Sequence, residues 1–395
     1  MTMLTERQTG GNRVKAEQTA LNCDESVGLL VTYQCNLDCK YCYIKEKQNR
    51  NMTFETAREI LEPFLLKEGT LVEIVFMGAE VLMAEPMIRR IVEWAEQGSW
   101  GRRFRFFGST NGTCLTGELK QWLYRHRESI VLGLSYDGLP AVQQSNRGCA
   151  AGIDVDFFIR TWPSQPVQMT ITAESVGNMA EGVIYLLKRG AVVHPNVAYE
   201  EEQWSREALI QYGRQLKRLI DFYLQNEAYP NISQFEHDLI AYARNLDHPV
   251  VQPKVCGAGS GFQVFDVDGS SYPCHILSPL VLRGEKLDGI REGILAKTQD
   301  FSDDSCFGCP YGSSCPTCLA CNYIYRDNFT KRDRTHCEIM HMEVRAFIKR
   351  EVARLSAKER ILPEDALQID AICKILEYER RRGRTGHCNL NGNMA

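Results

Sequence analysis

Hydrophobic and polar positions recur in a regular order between residue 26 and about residue 200. Runs rich in apolar, β-branched or aromatic residues end in polar or glycine-containing turns, and amphipathic stretches follow them. We predict six strands, with the sequences SVGLLVTY, TLVEIVFM, FRFFGS, SIVLGLS, PVQMTIT and AVVHPNVAY. Six strand-then-helix units in series predict an α/β fold with a parallel sheet and right-handed crossovers, either open or curled into a partial barrel.

The amphipathic stretches between and after these strands predict helices. TFETAREILEPFLL begins at Thr53, a plausible N-cap, and NMAEGVIYLLKRG ends in a glycine suited to a C-cap. Beyond the strands, two more helical patterns, SREALIQYGRQLKRLIDFYLQ and SQFEHDLIAYARNL, precede a cysteine-rich part at 256–337 with few long periodic elements. Helical patterns resume with EIMHMEVRAFIKREVARL and PEDALQIDAICKILEYERRR.

Composition and charge narrow the class of protein. The chain has 395 residues, 44% of them hydrophobic, and a formal net charge of -4, so no overall attraction to nucleic acid or to an anionic membrane is expected. The basic run ERRRGR is interpreted as a solvated helix end. No apolar signal core or bilayer-length apolar run occurs, and we expect a cytoplasmic protein. In that reducing compartment, 16 cysteines favour metal binding over disulfides.

Three cysteines follow the first predicted strand within eight positions: Cys35, Cys39 and Cys42. The carboxyl ends of strands in a parallel β/α architecture carry functional groups, so these thiolates are expected at that edge. Three cysteines on a short loop can hold three irons of a [4Fe–4S] cluster and leave the fourth iron open. A zinc site with a ligand from elsewhere, and chance, remain alternatives at this point.

The spacing Cys-x3-Cys-x2-Cys, with the aromatic Tyr41 before the last cysteine, resembles the signature of the radical S-adenosylmethionine (SAM) enzymes. The resemblance implies that SAM itself chelates the open iron through its amino and carboxylate groups. An electron from the cluster then cleaves SAM to methionine and a 5′-deoxyadenosyl radical, which abstracts a hydrogen atom from the substrate.

Later strand ends resemble further motifs of that family in the same order. Gly78-Ala79-Glu80 is similar to Gly-Gly-Glu, Thr110-Asn111-Gly112 to Thr-Asn-Gly, and Ser135-Tyr136-Asp137-Gly138 with Arg147 to the Ser-x-Asp-Gly…Arg of the peptide- and sulfatase-modifying branch. Alanine at position 79 requires a backbone conformation that an L-residue tolerates. That branch usually has His-Asp where Gln143-Gln144 stand here. The SAM contacts that the resemblance implies are Tyr41, Tyr43, Gly78, Ala79, Glu80, Asn111, Ser135 and Arg147.

The cysteine-rich part resembles the SPASM extension of peptide and sulfatase maturases, which binds two auxiliary [4Fe–4S] clusters. The resemblance implies one cluster on Cys306, Cys309, Cys315 and Cys337, and a first on Cys256, Cys274, Cys318 and Cys321. Here two residues separate Cys315 from Cys318 instead of three, Cys321 is extra, and a thiol found in sulfatase maturases is missing. We expect Cys318 and Cys321 both to be ligands; the alternative is that only one is, leaving an iron open for a substrate thiolate. A pair of zinc ribbons is the non-cluster alternative.

The fold implied by both resemblances is a partial (β/α)6 TIM-like barrel with a C-terminal, cysteine-rich SPASM-type domain. The expected boundaries are 1–25 for an N-terminal segment, 26–225 for the radical SAM partial barrel, 226–255 for a helical linker, 256–340 for the auxiliary Fe–S domain, and 341–395 for C-terminal helices and a frayed tail. His275, Asp266 and Asp268 lie near Cys274, and one could be a substrate base. The alternation in FQVFDVDGSSYPC favours a β-hairpin instead.

These features favour a peptide maturase with three [4Fe–4S] clusters and SAM, acting on a ribosomally made precursor peptide to install a thioether or carbon–carbon crosslink. Formylglycine formation by an anaerobic sulfatase maturase is the alternative, and a tRNA-modifying radical SAM enzyme or a non-catalytic Fe–S electron carrier is less favoured. No catalytic base is assigned. We expect an external electron donor such as flavodoxin or ferredoxin. The stretch before the first strand is short for a leader-recognition domain, so a separate leader-binding protein or the enzyme's own surface would serve.

Overall fold

The computed structural model describes residue 23 and residues 25–198, 204–250, 256–259, 261–290, 294–295, 301–312, 314–315 and 317–384. The expected N-terminal segment 1–25 lies almost wholly outside the described residues. Of the expected frayed tail, GRTGHCNLNGNMA, the first two residues end the last helix and residues 385–395 lie outside the described residues.

Eight strands occur within the described residues. They are β1 (Glu25–Thr32), β2 (Leu71–Gly78), β3 (Arg103–Thr110), β4 (Ile130–Leu134), β5 (Val167–Ile171), β6 (Val193–Val197), β7 (Phe262–Phe265) and β8 (Ser271–Tyr272). The first six coincide with the six strands expected from the alternation. The last two form the hairpin expected around Asp266 to Gly269, whose positive φ of 87° suits a turn glycine.

Among the same described residues, twelve α-helices alternate with the strands and continue after them. They are α1 (Phe54–Leu66), α2 (Glu85–Gln97), α3 (Gly117–Arg125), α4 (Pro140–Arg147), α5 (Val155–Thr161), α6 (Met179–Lys188), α7 (Arg206–Gln225), α8 (Leu239–Asp247), α9 (Gly284–Asp288), α10 (Leu319–Arg326), α11 (Arg334–Ser356) and α12 (Pro363–Arg384). The Thr53 side chain accepts a hydrogen bond from the Thr56 backbone N–H, which confirms it as the N-cap of α1.

The strands pair in two sheets. One has the order β4-β3-β2-β1-β7-β8, and the other contains β5 and β6. All pairs among β1 to β4, the β5–β6 pair and the β1–β7 pair are parallel, whereas β7 and β8 are antiparallel. A parallel bridge from Ser135 to Gln168 continues the strand order from β4 to β5. The α/β class with a mostly parallel sheet is confirmed; curvature into a partial barrel and a SPASM-type domain stay predictions.

The main core lies between the sheets and the helices that follow each strand. Phe76 of β2 and Phe106 of β3 are fully buried there, and their rings stack with centroids 5.1 Å apart. Further along the chain, α11 packs against α7 and α12 against α8. A second, smaller hydrophobic cluster forms inside the cysteine-rich part, from Ala258, Leu277, Leu282, Leu295, Leu319 and Ala320.

In the described ranges, every helix is too short or too polar to cross a bilayer.

Candidate functional site

The loop after β1 carries Cys35, Cys39 and Cys42 at the carboxyl end of the parallel strands. The backbone N–H of Leu37 donates to Cys35 Sγ over 3.4 Å, and the N–H of Cys42 donates to the carbonyl of Cys39. The N–H of Lys40 donates to the carbonyl of Asn146 in α4, 2.9 Å away. The loop is therefore held by its own backbone and by the helix that follows β4.

The three thiols form one electrostatic group. Burial raises the pKa of Cys35, and burial together with the neighbouring cysteines raises the pKa of Cys39 to about 11. Thiols in such a place become thiolates when a metal binds them, because the metal charge offsets that penalty. No three His, Cys, Asp or Glu side chains of the described chain converge as ligands of a single ion. In a four-iron cluster, each thiolate binds its own iron.

Glu80 joins the ends of β2 and β3. Its Oε1 accepts from the Thr110 hydroxyl at 2.6 Å and from the Leu82 N–H at 3.1 Å, and its Oε2 accepts from the Asn111 N–H at 2.7 Å. Burial raises the pKa of Glu80, and these three donors oppose the shift. The side chain is thus a buried carboxylate that already has three protein donors and has acceptor capacity left for a cation.

The backbone before Glu80 has the conformation that its sequence requires. Gly78 has a φ of 142°, and a Cβ there would lie 2.3 Å from the carbonyl oxygen of Thr32. Ala79 is not among the positive-φ residues, so an L-residue is tolerated there as expected. Its N–H donates to the Thr32 carbonyl at 3.1 Å. Only a glycine at position 78 lets the chain leave β2 so close to β1.

Asn111 links the β3 end to the cysteine loop. Its Nδ2 donates to Asn36 Oδ1 at 3.1 Å, and its Oδ1 accepts from the Thr113 N–H and hydroxyl. Asn36, directly after Cys35, donates in turn to the Thr113 hydroxyl at 2.8 Å. Both ends of the Asn111 amide are therefore engaged in placing the loop.

Asp137 is the centre of a buried network that the sequence analysis did not assign. Its carboxylate, 0% exposed, accepts from Arg147 Nη2 at 2.9 Å and Nε at 3.1 Å, from the Thr170 N–H at 3.0 Å, from the Tyr41 hydroxyl at 2.7 Å and from Asn146 Nδ2 at 3.1 Å. The Arg147 guanidinium also lies 5.4 Å from the Tyr41 ring centroid. One carboxylate thus fixes the Cys-loop aromatic and the arginine together.

Gln143 holds the turn that carries Asp137. Fully buried in α4, it accepts the Asp137 N–H through Oε1 at 2.9 Å. The departure from the family's usual His-Asp at this place therefore has a structural role here. Ser135, two residues earlier, is partly exposed, and its N–H donates to the Thr110 carbonyl. Within the described chain, Arg147 makes its hydrogen bonds through Nε and Nη2 and none through Nη1, which leaves that nitrogen available to a ligand.

Tyr43 lies between the first cysteine group and the cysteine-rich part. Its ring centroid is 5.8 Å from that of His275, and 39% of the residue is exposed. Burial of the hydroxyl raises its pKa, and the thiolates of Cys42, Cys321, Cys274 and Cys318 raise it further. Tyr43 therefore lies near Cys42 of the first loop and also near cysteines of the cysteine-rich part. Burial also lowers the pKa of His275 to about 4.

Several cysteines of the cysteine-rich part lie near one another, and their assignment to two clusters stays a prediction. Burial raises the pKa of Cys274 to about 12, with further effects from Cys318 and Cys256. Cys318 Sγ accepts from the Cys321 N–H at the start of α10, at 3.5 Å. The other group comprises Cys306, Cys309, Cys315 and Cys337, each of which lies near at least one other member of the group.

Asp266 at the β7–β8 turn contacts the start of the cysteine loop. Its Oδ1 accepts from the Tyr33 hydroxyl at 2.6 Å, and Arg50 lies 3.8 Å from its Oδ2. Burial raises the pKa of Asp266, and the bond from Tyr33 opposes the shift. The hairpin is thus fastened to the residue that follows β1.

One face of the sheets stays accessible beneath this edge. On β2 and β3, Ile74, Phe76 and Phe106 are buried, whereas Glu73 and Arg105, which are register partners, are partly exposed. The alternation continues to Gln168 of β5, the bridge partner of Ser135. A cavity of about 330 Å³ lies at the opposite, amino-terminal end of the strands, where Arg127 and Glu128 precede β4 and Pro163, Ser164 and Gln165 precede β5. It is also lined by Arg105, Phe107, Val131, Thr161 and Trp162.

Sequence comparison identifies one family. The model of the Radical SAM superfamily matches residues 29–140. An uncharacterized protein of Methanocaldococcus jannaschii is 32% identical over 111 residues, covering 28% of this chain and 38% of that protein. An uncharacterized protein of Archaeoglobus fulgidus is 26% identical over 263 residues, covering 62% and 59%. The chain therefore spans between about two fifths and three fifths of the lengths of these relatives.

A relative with a named activity matches a shorter stretch. The serine-type anaerobic sulfatase-maturating enzyme of Bacteroides thetaiotaomicron is 33% identical over 114 residues, covering 26% of this chain and 27% of that enzyme.

Among solved structures, native anSMEcpe with bound AdoMet matches with a TM-score of 0.58 at 16% identity, over 83% of this chain and 97% of that one. Streptococcus suis SuiB bound to precursor peptide SuiA matches with a TM-score of 0.53 at 14% identity, over 80% and 76%. At these identities the likeness is one of fold.

Proposed function

We propose, from the premise that residues 29–140 of this chain are a radical SAM domain, that the protein is an enzyme which abstracts a hydrogen atom from a ribosomally made peptide and installs a crosslink. The observation that carries the proposal is the partly exposed sheet face that ends at Ser135, in the motif whose Asp137 binds Arg147 and Tyr41 of the cysteine loop. A peptide needs such an extended surface, and its side chains would then reach the edge where the cofactors bind.

The residues at that edge fit the cofactors. Cys35, Cys39 and Cys42 would hold three irons of a [4Fe–4S] cluster, with SAM completing the fourth. Together these groups supply an organic radical able to take a hydrogen atom from an unactivated carbon. The Gly78-Ala79-Glu80 turn would receive the SAM ammonium, and Ser135 with Arg147 Nη1 its carboxylate, because a guanidinium matches carboxylate geometry.

The protein's own groups set the ionic state of this site. Asp137 compensates the Arg147 charge and holds the guanidinium through Nε and Nη2, so its free edge has a fixed direction. Tyr41 stays a hydrogen-bond donor because burial raises its pKa. The result is a binding edge that is organised before the ligands arrive, which reduces the ordering cost of binding.

The same sheet face offers both polar and apolar groups to a peptide, at the end of the strands away from the cysteine loop. Arg105 lies in the 330 Å³ cavity, and its Nε is buried and makes no hydrogen bond within the described chain. Phe107 and Trp162 supply apolar surface to the same cavity. The solved structures of similar fold include one bound to a precursor peptide. A low-potential donor such as flavodoxin or ferredoxin would supply electrons, and a separate protein or the enzyme's own surface would bind the leader.

The first test is anaerobic reconstitution with iron and sulfide, followed by SAM and dithionite. We expect 5′-deoxyadenosine to form, and a variant with Cys35, Cys39 and Cys42 all changed to Ala to form none. Cys149→Ala is the matched control, because Cys149 lies outside all three cysteine groups and its thiol donates to the nearby Ala151 carbonyl at 3.7 Å. Zinc in place of iron in the active wild type, or unchanged turnover by the triple variant, would refute the proposal.

The second test is anaerobic co-expression with short peptides encoded beside the gene, read by mass spectrometry. A crosslink removes two hydrogen atoms and leaves no aldehyde. Formylglycine, the second candidate, gives a hydrazide-reactive aldehyde; it is supported by the match to a serine-type anaerobic sulfatase-maturating enzyme. Aldehyde labelling of a sulfatase, with no change in any peptide, would decide for that candidate.

The roles of Cys318 and Cys321 are tested by iron content and EPR of Cys318→Ala and Cys321→Ala. We expect each variant to lose the first auxiliary cluster, because both thiols belong to its group. If both variants keep all clusters, the assignment is wrong, and if only one does, the first auxiliary cluster has an open iron.

A further inference from the structure

A buried arginine lies within the second auxiliary cysteine group without a carboxylate partner. Arg332 is 5% exposed and precedes α11 by two residues. Its Nη1 donates to Cys315 Sγ at 3.2 Å. Within the described chain its side chain forms no ion pair with Asp or Glu, and its Nη2 is buried and makes no hydrogen bond.

The surroundings of this guanidinium are sulfur and imidazole. Cys306, Cys315 and Cys337 all lie near enough to interact with its charge. His336 Nε2 is 3.6 Å from the same Cys315 sulfur. The backbone of Arg332 is fixed independently, because its N–H donates to Asp303 Oδ2 at 2.9 Å. The backbone of Arg332 is thus anchored by a residue that is not one of the cysteines, and its side chain extends among them.

A buried charge without a partner is costly, and an unsatisfied buried donor in a native protein needs an explanation. Both costs disappear if the cysteines are thiolates of a cluster, because thiolates and sulfides carry negative charge and accept hydrogen bonds. Hydrogen bonds to the sulfurs and nearby positive charge are among the factors that set the reduction potential of an iron–sulfur cluster. Both favour the reduced state, which carries one more negative charge.

We propose that Arg332 is a positioning residue that donates hydrogen bonds to the cluster held by Cys306, Cys309, Cys315 and Cys337 and raises its reduction potential. The inference rests on the proposed function, which places a cluster there. One electron from an external reductant enters the cluster, and no proton follows it to Arg332, because an arginine stays protonated at all accessible pH values. The second auxiliary cluster thus becomes an electron acceptor of higher potential than its four thiolates alone would set.

The test is a potentiometric titration with dithionite and mediators, monitored by EPR, on the reconstituted full chain. Wild type is compared with Arg332→Gln, Arg332→Lys and the control Arg334→Gln, which removes an exposed charge near Cys337. We expect Arg332→Gln to lower the reduction potential of one of the three clusters by at least about 59 mV. For a one-electron couple, this is a tenfold decrease in the equilibrium constant for reduction. Arg332→Lys should lower this potential less, and Arg334→Gln much less. The potentials of the other two clusters serve as internal references.

Iron content separates the two levels of inference. About twelve irons per chain are expected for three clusters; a wild type that holds only the SAM cluster refutes the auxiliary-cluster assignment itself. With full iron, an unchanged potential in Arg332→Gln, or an equal shift in Arg334→Gln, overturns the role of Arg332 alone. Loss of the cluster from Arg332→Gln but not from Arg332→Lys supports a cationic donor at this site. Loss of the cluster from both variants overturns the proposed effect on the reduction potential, because Arg332 would then be needed for cluster assembly.

Discussion

Replacement of Asp137 by Asn tests whether one carboxylate organises the SAM edge. Asp137 is 0% exposed and Arg147 is 7% exposed, so the substitution leaves a buried guanidinium without its counter-charge. The amide also presents an N–H₂ group to neighbours that are all donors, among them the Tyr41 hydroxyl. We expect a loss in the free energy of unfolding of about 3–5 kcal/mol, the range for breaking a buried ion pair.

The magnitude follows from the geometry. At 2.9 Å between Arg147 Nη2 and Asp137 Oδ1 and an effective dielectric constant of about 20, the Coulomb attraction is about 6 kcal/mol. Part of this is recovered when water or a rearranged side chain reaches Arg147 in the variant, which brings the expected cost into the range above. Arg147→Met in the Asp137→Asn background removes the unpaired charge and should restore about 2 kcal/mol or more.

The assay is anaerobic urea denaturation followed by circular dichroism at matched iron content. Asp156→Asn is the control, because Asp156 forms an ion pair of similar length with Arg189, 2.7 Å, in which the side chains are 46% and 31% exposed. That surface pair is worth about 0–1 kcal/mol. If Asp137→Asn costs no more than Asp156→Asn, or if removal of Arg147 gives no recovery, the account of this network is incorrect.

Two further substitutions test other features of the structure. Gly78→Ala should destabilise the protein by at least about 1–3 kcal/mol and weaken SAM binding, because the new Cβ would meet the Thr32 carbonyl oxygen at 2.3 Å. The control Gly117→Ala should be near neutral, since nothing lies within 4 Å of its Cβ. Equal losses of stability in the two variants, measured by denaturation, would contradict this prediction. Burial raises the pKa of Glu343 from 4.5 to about 7, so stability is lost as pH rises through that interval. Glu343→Gln should flatten this dependence and stabilise the protein at pH 8 by up to about 3 kcal/mol; melting curves from pH 4 to 9 that keep the wild-type slope would refute it.

The strands and the cysteine loop could be predicted from sequence because their signals are local. The alternation of apolar and polar residues along a strand is visible within a few positions of the sequence. Cys35, Cys39 and Cys42 likewise lie within one loop. The radical SAM resemblance drawn from them is confirmed by the family match over residues 29–140. The boundaries of the later domains and the individual ligand roles stay predictions.

Contacts between distant parts of the chain could not be predicted in this way. Asp137 stood in a quoted motif, but its partners come from the cysteine loop, α4 and β5, and no spacing rule relates them. Arg332 lies in the sequence KRDR, which has the composition of a solvated charged turn, and only the fold buries it. Similarly, nothing local indicates that β7 adds to the sheet beside β1.

That addition makes the two halves of the protein interdependent. β7 lies alongside β1 from Ser26 to Leu29, and Asp266 binds Tyr33 just beyond it. If the chain were cut before residue 256, the peptide groups on that side of β1 would face solvent as an unprotected border, which invites strand-to-strand association between molecules. A shortened protein that kept every cysteine of the first loop would therefore be expected to precipitate rather than to work as an independent catalytic unit.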